Sequence, residues 1–279
     1  MSSFDPPLPA VRALVALALV EDHGLLGDIT SIACIEEGQK AEGAFIAREP
    51  GVLAGTAAAA EVFRQIDPSV VLEWDVGDGA AVDAGATLGR MRGSMRSILL
   101  AERVALNLLS HSSGVATATR RCVNAVGGEV RIRDTRKTLP GLRALQRAAV
   151  RAGGGFNHRD SLSDAVLIKD NHLVGIDLAE AVARARAAWP GRTVEVECDT
   201  LEQVAVARDA GADIVMLDNM APDAVRRAVE LLAGACRVEV SGGVTLDSLP
   251  AYARSGPDFI SIGALTHSAP ALDIGLDLA

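Results

Sequence analysis

Lysine is scarce in this chain: Lys40, Lys137 and Lys169 stand against 24 arginines. Arginine is a fixed planar fork, whereas lysine is a compact point charge with an adjustable pKa. A position that keeps lysine where arginine is the rule points to a site needing that geometry or a proton-transfer option. Lys137 and Lys169 each follow a strand-like run, in Asp134-Thr135-Arg136-Lys137 and Lys169-Asp170-Asn171-His172. From 131 to 169, nine basic residues face only Asp134, Asp160 and Asp164, so this segment is +6 and the remainder of a −9 chain carries −15. A cationic patch inside an acidic protein suits a small polyanion held in a cleft. Arg136, Lys137, His158, Arg159 and Lys169 are the candidates, at strand ends or beside Gly153-Gly154-Gly155. Arg143, Arg147 and Arg151, four apart, read instead as an exposed helix stripe.

Carboxylates and glycines supply the complementary chemistry. Glu197 and Asp218 close two later strand-like runs, where they could hold Mg²⁺ with a pyrophosphate or stabilise a developing cation. A salt bridge to the basic cluster is the plainer alternative. Ser241-Gly242-Gly243 and Ser261-Ile262-Gly263 look like paired phosphate loops, since glycine lets backbone N–H groups approach phosphate oxygens. His267, just beyond, could donate to a phosphate.

The elements that must position these groups form a run of β–α units. Strand-like segments at 130–133, 165–168, 193–197, 213–217, 237–240 and 258–262 alternate with helical stretches at 142–152, 178–188, 201–210, 223–232 and 246–254. That alternation suits a parallel sheet, and in a parallel α/β barrel all strand ends converge on one mouth. Upstream, residues 40–93 read as β-rich, and 94–126 as a long helix. Arg96, Arg103, Asn107 and Ser110 share one face of that helix, a solvated stripe on the simplest reading.

The 279 residues are 49% hydrophobic, enough for one large domain or two smaller ones. Aromatics are only 3%, so the core is expected to rest on Ala, Val, Leu and Ile. Net charge −9 argues against nucleic-acid or membrane-surface binding. Four cysteines without C-x-x-C spacing predict neither a zinc site nor a disulfide framework, and a reducing cytoplasm. The apolar run from Val11 to Val20 is too short to span a bilayer.

Several long motifs carry a resemblance. Asp134–Arg143 (DTRKTLPGLR), Gly153–His172 (GGGFNHRDSLSDAVLIKDNH), Val194–Thr200 (VEVECDT), Val215–Met220 (VMLDNM) and Ile260–Leu278 are similar, in order, to the quinolinate phosphoribosyltransferase family. Gly27-Asp28-Ile29-Thr30 and Glu102–Thr117 fit the same pattern. The resemblance implies an N-terminal α/β sandwich (1–113), an α/β barrel of parallel strands (114–266) and a tail (267–279) returning to the first domain. It also implies a homodimer, or a higher oligomer built from it, in which Arg103 enters the partner's site. Arg136, Lys137, His158, Arg159 and Lys169 would then bind quinolinate, with Lys137 and Lys169 offsetting charge or returning a proton. Glu197 and Asp218 would face ribose and Mg²⁺, and Ser241, Gly242, Gly243, Gly263 and His267 would hold the phosphates of phosphoribosyl pyrophosphate. Two departures are visible: Ser161 stands where the family has Gly, which questions the local backbone, and Val104 where Thr is common. A molybdenum-associated paralogue, a Schiff-base aldolase using Lys169 and a non-catalytic phosphoribosyl-pyrophosphate sensor are the rival readings.

Overall fold

The structure, a computed structural model, describes residues 4–279. The chain divides into two units, one of residues up to 120 with 137–154 and 264–279, the other of 121–136 with 155–263.

The first unit opens with α1 (Leu8–His23) and α2 (Ile29–Cys34), then β1 (Lys40–Ala47), β2 (Gly51–Val52), α3 (Thr56–Ile66), β3 (Val71–Trp74), β4 (Ala81–Val82) and β5 (Thr87–Ser94). Asp28 caps α2 by accepting from the Thr30 and Ser31 amides, both at 3.0 Å. α4 (Met95–Ala125) is the long helix expected from residue 94 onward. Arg96 on it is not part of a solvated stripe. Its guanidinium donates to the Ile35 carbonyl at 2.9 Å, satisfying the chain just past the end of α2.

Strands β1, β5 and β3 pair antiparallel, and the C-terminal strand β12 (Ile274–Leu278) completes the sheet in the order β12-β1-β5-β3. The tail thus returns to the first unit. Gly114 on α4 permits its passage, since a Cβ there would lie 2.0 Å from the Pro270 carbonyl oxygen. Aliphatic residues build most of this core, but its centre is aromatic: Phe45 is fully buried, stacked on Trp74 at 5.5 Å and edge-on to Phe63 at 6.2 Å.

The second unit starts in the last turn of α4, at Arg121, and β6 (Arg131–Arg133) is its first strand, while α5 (Arg143–Ala152) belongs to the first unit. Leu145 is buried in the first unit's core, and Leu142 packs against it. The arginines of α5 also correct an expectation. Arg143, Arg147 and Arg151 are half-buried, not exposed. Arg143 donates to Thr138 Oγ1 at 3.0 Å, and Arg151 to the Phe4 carbonyl at 3.2 Å.

The second unit continues with β7 (Val166–Ile168), α6 (Leu178–Ala188), β8 (Val194–Cys198), α7 (Leu201–Asp209), β9 (Ile214–Asp218), α8 (Pro222–Leu232), β10 (Arg237–Ser241), α9 (Leu249–Ala253) and β11 (Phe259–Ser261). The four-residue α10 (Ala264–His267) follows in the first unit. All six strands are parallel, in the order β6-β11-β10-β9-β8-β7. Each expected strand is present within a residue or two, whereas α9 is shorter than the 246–254 stretch. Thr245 and Ser248 form a side-chain-bonded turn there, and Pro250 sits in the first helical turn. The outward strand faces, including Val194, Val196, Val215, Leu217 and Val240, are wholly buried. Among the described residues no helix is long and apolar enough to cross a membrane.

Candidate active site

Side chains two apart on a strand share a face, and the register of the barrel sheet shows which residues share the inner one. Glu197 aligns with Met216, Met216 with Glu239, Asp218 with Ser241, and Leu167 with Glu195. One face therefore carries Glu195 and Glu197 on β8, Asp218 on β9, Glu239 and Ser241 on β10, and Lys169 beyond the end of β7. Barrel interiors are ordinarily filled with branched apolar residues. Here the face opposite the valines is charged in two layers.

The upper layer lies at the strand ends and contains several residues expected from the sequence. Lys169 Nζ is ion-paired with Glu197, and the Lys169 side chain is 42% exposed, enough to meet a ligand. Asp218 Oδ2 accepts from Asn219 Nδ2 at 2.7 Å. Asn219 adopts a left-handed backbone (φ +55°), and its amide donates to the Ser241 carbonyl at 2.9 Å. Gly242 and Gly243 follow with φ +89° and +61°. At Gly242 a Cβ would lie 2.3 Å from Asn219 Oδ1, so glycine is required twice over, by conformation and by space. Successive amides after a parallel strand form a concavity suited to an anion.

Arg136 and Arg159 supply the cationic side. Burial lowers the Arg159 pKa, and the neighbouring Arg136 cation lowers it further. Arg159 Nη1 is steadied by the Ala165 carbonyl at 2.9 Å. Asp134, fully buried, sets the chain leading to Arg159. Its carboxylate accepts from the His158 amide at 2.7 Å and from Asn157 Nδ2 at 2.6 Å. Ser161, the departure from family glycine, is not among the positive-φ residues, so the backbone there imposes no demand for glycine.

His158 faces the deeper layer. Its Nε2 lies 3.1 Å from Glu195 Oε2 and 3.3 Å from Glu239 Oε1, and both glutamates are buried. Glu239 also accepts from Arg133 Nη1 at 2.8 Å and from Ser261 Oγ at 2.6 Å, and the Arg133 guanidinium lies over the Phe259 ring, 3.5 Å from its centroid. Burial lowers the imidazole pKa, but hydrogen bonds and attraction from the two glutamates outweigh it, and the value is pushed up to about 9. Burial raises Glu195, whereas His158, Ser261 and Arg133 hold Glu239 ionised. His158 and Glu195 are thus both pushed toward their protonated forms, which favours one proton held between them. With Arg133 and Glu239 the cluster is electrically neutral wherever that proton sits.

His158, Glu195 and Glu239 bring one ligand atom each within 4.8 Å of one another, a metal-like spacing. The Arg159 amide, however, donates to His158 Nδ1 at 2.7 Å. In the neutral ring that leaves the proton on Nε2, and in the imidazolium Nε2 is protonated as well, so in either form this nitrogen faces the glutamates with a proton and has no lone pair for a metal.

Arg103, Lys137 and His267 are carried by the first unit. Arg103 is exposed on α4, and His267 is exposed with Nδ1 2.6 Å from Ser268 Oγ. Lys137 follows Arg136 in the chain, with its carbonyl accepting from Thr266 Oγ1 at 2.9 Å. Gly263 follows β11. Sequence reasoning missed Arg133, Asp134, Glu195, Asn219 and Glu239. The signal for the glutamates was present in Val-Glu-Val-Glu-Cys and Arg-Val-Glu-Val-Ser, where charge alternates with valine.

The family descriptions "Quinolinate phosphoribosyl transferase, N-terminal domain" and "C-terminal domain" match residues 28–113 and 115–277. Among curated relatives, the "Probable nicotinate-nucleotide pyrophosphorylase [carboxylating]" of Bacillus subtilis is 43% identical over 96% of this chain and 93% of its own length. The corresponding Mycobacterium leprae protein is 43% identical over 98% of this chain and 99% of its own. The solved nicotinate-nucleotide pyrophosphorylase of Francisella tularensis superposes with a TM-score of 0.94 at 40% identity, covering 99% of this chain and 98% of that one. With both domains matched in order on a barrel whose strand ends carry the expected charges, the chain belongs to the quinolinate phosphoribosyltransferase family.

Proposed function

We propose that the barrel mouth joins the ring nitrogen of quinolinate to C1 of phosphoribosyl pyrophosphate, releasing pyrophosphate and CO₂ and leaving nicotinate mononucleotide. This is the reaction named for the relatives at 43% identity. The observation that carries it at the site is the Arg136–Arg159 pair. Arg136 lies close enough to Arg159 for its charge to be felt there, and a vicinal dicarboxylate presents one carboxylate for each guanidinium.

Each group then has a task. Arg136, Arg159 and Lys169 hold the dicarboxylate so that the ring nitrogen faces C1, which is catalysis by positioning. As the bond to pyrophosphate breaks, positive charge develops at C1, and Glu197 and Asp218 stabilise it. The new N-glycosidic bond makes the ring nitrogen cationic. The adjacent carboxylate then leaves as CO₂, its electron pair staying on the ring carbon beside N⁺ until a proton returns. Lys137 and Lys169 offset charge in this step, and either could return that proton. Ser241, Gly242, Gly243, Gly263 and His267 take the phosphates. Arg103 acts from a second copy of the chain, so the working unit is a homodimer.

Glu197 and Asp218 also fit a hard divalent cation, being two carboxylates at neighbouring strand ends beside the glycine loop. Mg²⁺ bound there would neutralise charge on the departing pyrophosphate. The four cysteines are free thiols, which supports a reducing, cytoplasmic setting. The test is incubation with quinolinate, phosphoribosyl pyrophosphate and Mg²⁺. Stoichiometric CO₂ and nicotinate mononucleotide are expected, and their absence would overturn the assignment.

A further inference from the structure

Gln146 on α5 is fully buried, and its side-chain amide bonds to three separate segments of the first unit. Oε1 accepts from the Leu139 amide at 3.1 Å. Nε2 donates to the Thr266 carbonyl at 2.6 Å and meets His111 Nε2, on α4, at 2.9 Å. Leu139 N–H can only donate and the Thr266 carbonyl can only accept, so the amide has one possible orientation. Its second N–H then faces His111, whose Nε2 must accept, with the ring proton on Nδ1. Burial lowers the His111 pKa and keeps that ring neutral. The Thr266 hydroxyl, also fully buried, extends the network to the Lys137 carbonyl at 2.9 Å.

These segments carry the cations that the first unit contributes. Lys137 heads the loop containing Leu139, His267 follows Thr266, and Arg103 stands about two turns before His111 on α4. An apolar side chain would fill the place of Gln146 with no polar group to satisfy. What the amide adds is connection between a loop, a turn and a helix that are distant in sequence.

We propose that Gln146 is a positioning residue, a buried amide that fixes the Lys137 loop and the His267 turn against α4. The kinetic part of this inference rests on the assignment of Lys137 and His267 to substrate binding. Gln146→Met keeps length and volume while removing all three bonds, and Thr266→Val removes the hydroxyl bond to the Lys137 carbonyl while leaving Gln146 in place.

Two readouts on the full-length chain decide it. In hydrogen–deuterium exchange, the Leu139 amide of Gln146→Met should exchange at least about tenfold faster, with β8 and β9 unchanged. This result is independent of the substrate. In steady-state assays KM for both substrates should rise about tenfold, with kcat reduced far less, the loss expected from about one net hydrogen bond. In a Lys137→Ala background, Gln146→Met should raise the quinolinate KM by less than about twofold, because its effect passes through Lys137. Should Gln146→Met fail to fold, Thr266→Val carries the same test, with KM rising about threefold. Unchanged exchange at Leu139, unchanged KM values in an active variant, or full additivity with Lys137→Ala would each overturn the proposal. If the wild-type chain released no CO₂ from quinolinate, the functional reading would fail, while the exchange experiment would still decide the positioning role.

Discussion

Replacing Glu239 by Gln tests the deeper layer of the barrel without changing its volume. Glu239 is fully buried and receives Arg133, His158 and Ser261. An amide keeps one acceptor oxygen but turns an N–H₂ toward these donors, and it leaves the half-buried Arg133 cation without its buried counter-charge. Removing one partner from a buried ion pair costs about 3–5 kcal/mol. For a domain of this size that lowers Tm by roughly 10 °C.

The pH dependence of the same variant is more discriminating. Beside Glu195 and Glu239, His158 holds its proton to about pH 9 in the fold, against about 6.5 for an imidazole in the unfolded chain. Because the folded value is raised, the stabilisation is complete below about pH 6.5 and is lost as pH climbs through about 9, an amount on the order of 3 kcal/mol. Without the Glu239 anion the proton should leave earlier, and the variant's stability should already fall between pH 7 and 8. Thermal melts of both proteins from pH 6 to 10 measure this directly. A Glu239→Gln cost below about 1 kcal/mol, or Tm curves that run parallel across the range, would refute the shared-proton account.

Three further outcomes are expected. Lys169→Ala should cut kcat/KM for quinolinate at least about 100-fold, as removal of one preorganised charge contact commonly does, and near-normal turnover would show that Lys169 is misassigned. Gly242→Ala should cost about 1–3 kcal/mol of stability, from left-handed strain and the clash with Asn219, and should raise KM for phosphoribosyl pyrophosphate more than for quinolinate in initial-rate assays. Mixing inactive Arg103→Ala and Lys169→Ala chains with subunit exchange should restore about a quarter of wild-type activity, because each mixed dimer regains one intact site. No recovery would place Arg103 outside the partner's site.

Much of the barrel was legible because parallel βα units write themselves in local patterns. The helical stretch Leu178–Ala188 coincides with α6, and the strand-like run at 193–197 falls one residue from β8. The strand-end groups Lys169, Glu197, Asp218 and Gly242 were legible for the same reason, since a strand's carboxyl end is a local feature. What stayed hidden depended on partners far along the chain. Arg143 and Arg151 looked like an exposed stripe because periodicity shows which residues share a face and not what covers it. Gln146 offered no signal, since its partners lie 7, 35 and 120 residues away.

By itself, the sequence determined the reaction family, the parallel barrel order and the residues that close each strand, because these reside in contiguous motifs and short-range periodicity. Tertiary structure decided which charges face inward, that His158 shares its proton with Glu195 beside Glu239, and that 137–154 belongs with the first unit. The physical reason is that burial, desolvation and the pairing of charges are properties of neighbours in space. A Glu between two valines reads the same whether it meets water or a buried imidazole, and only the register of the sheet distinguishes the two.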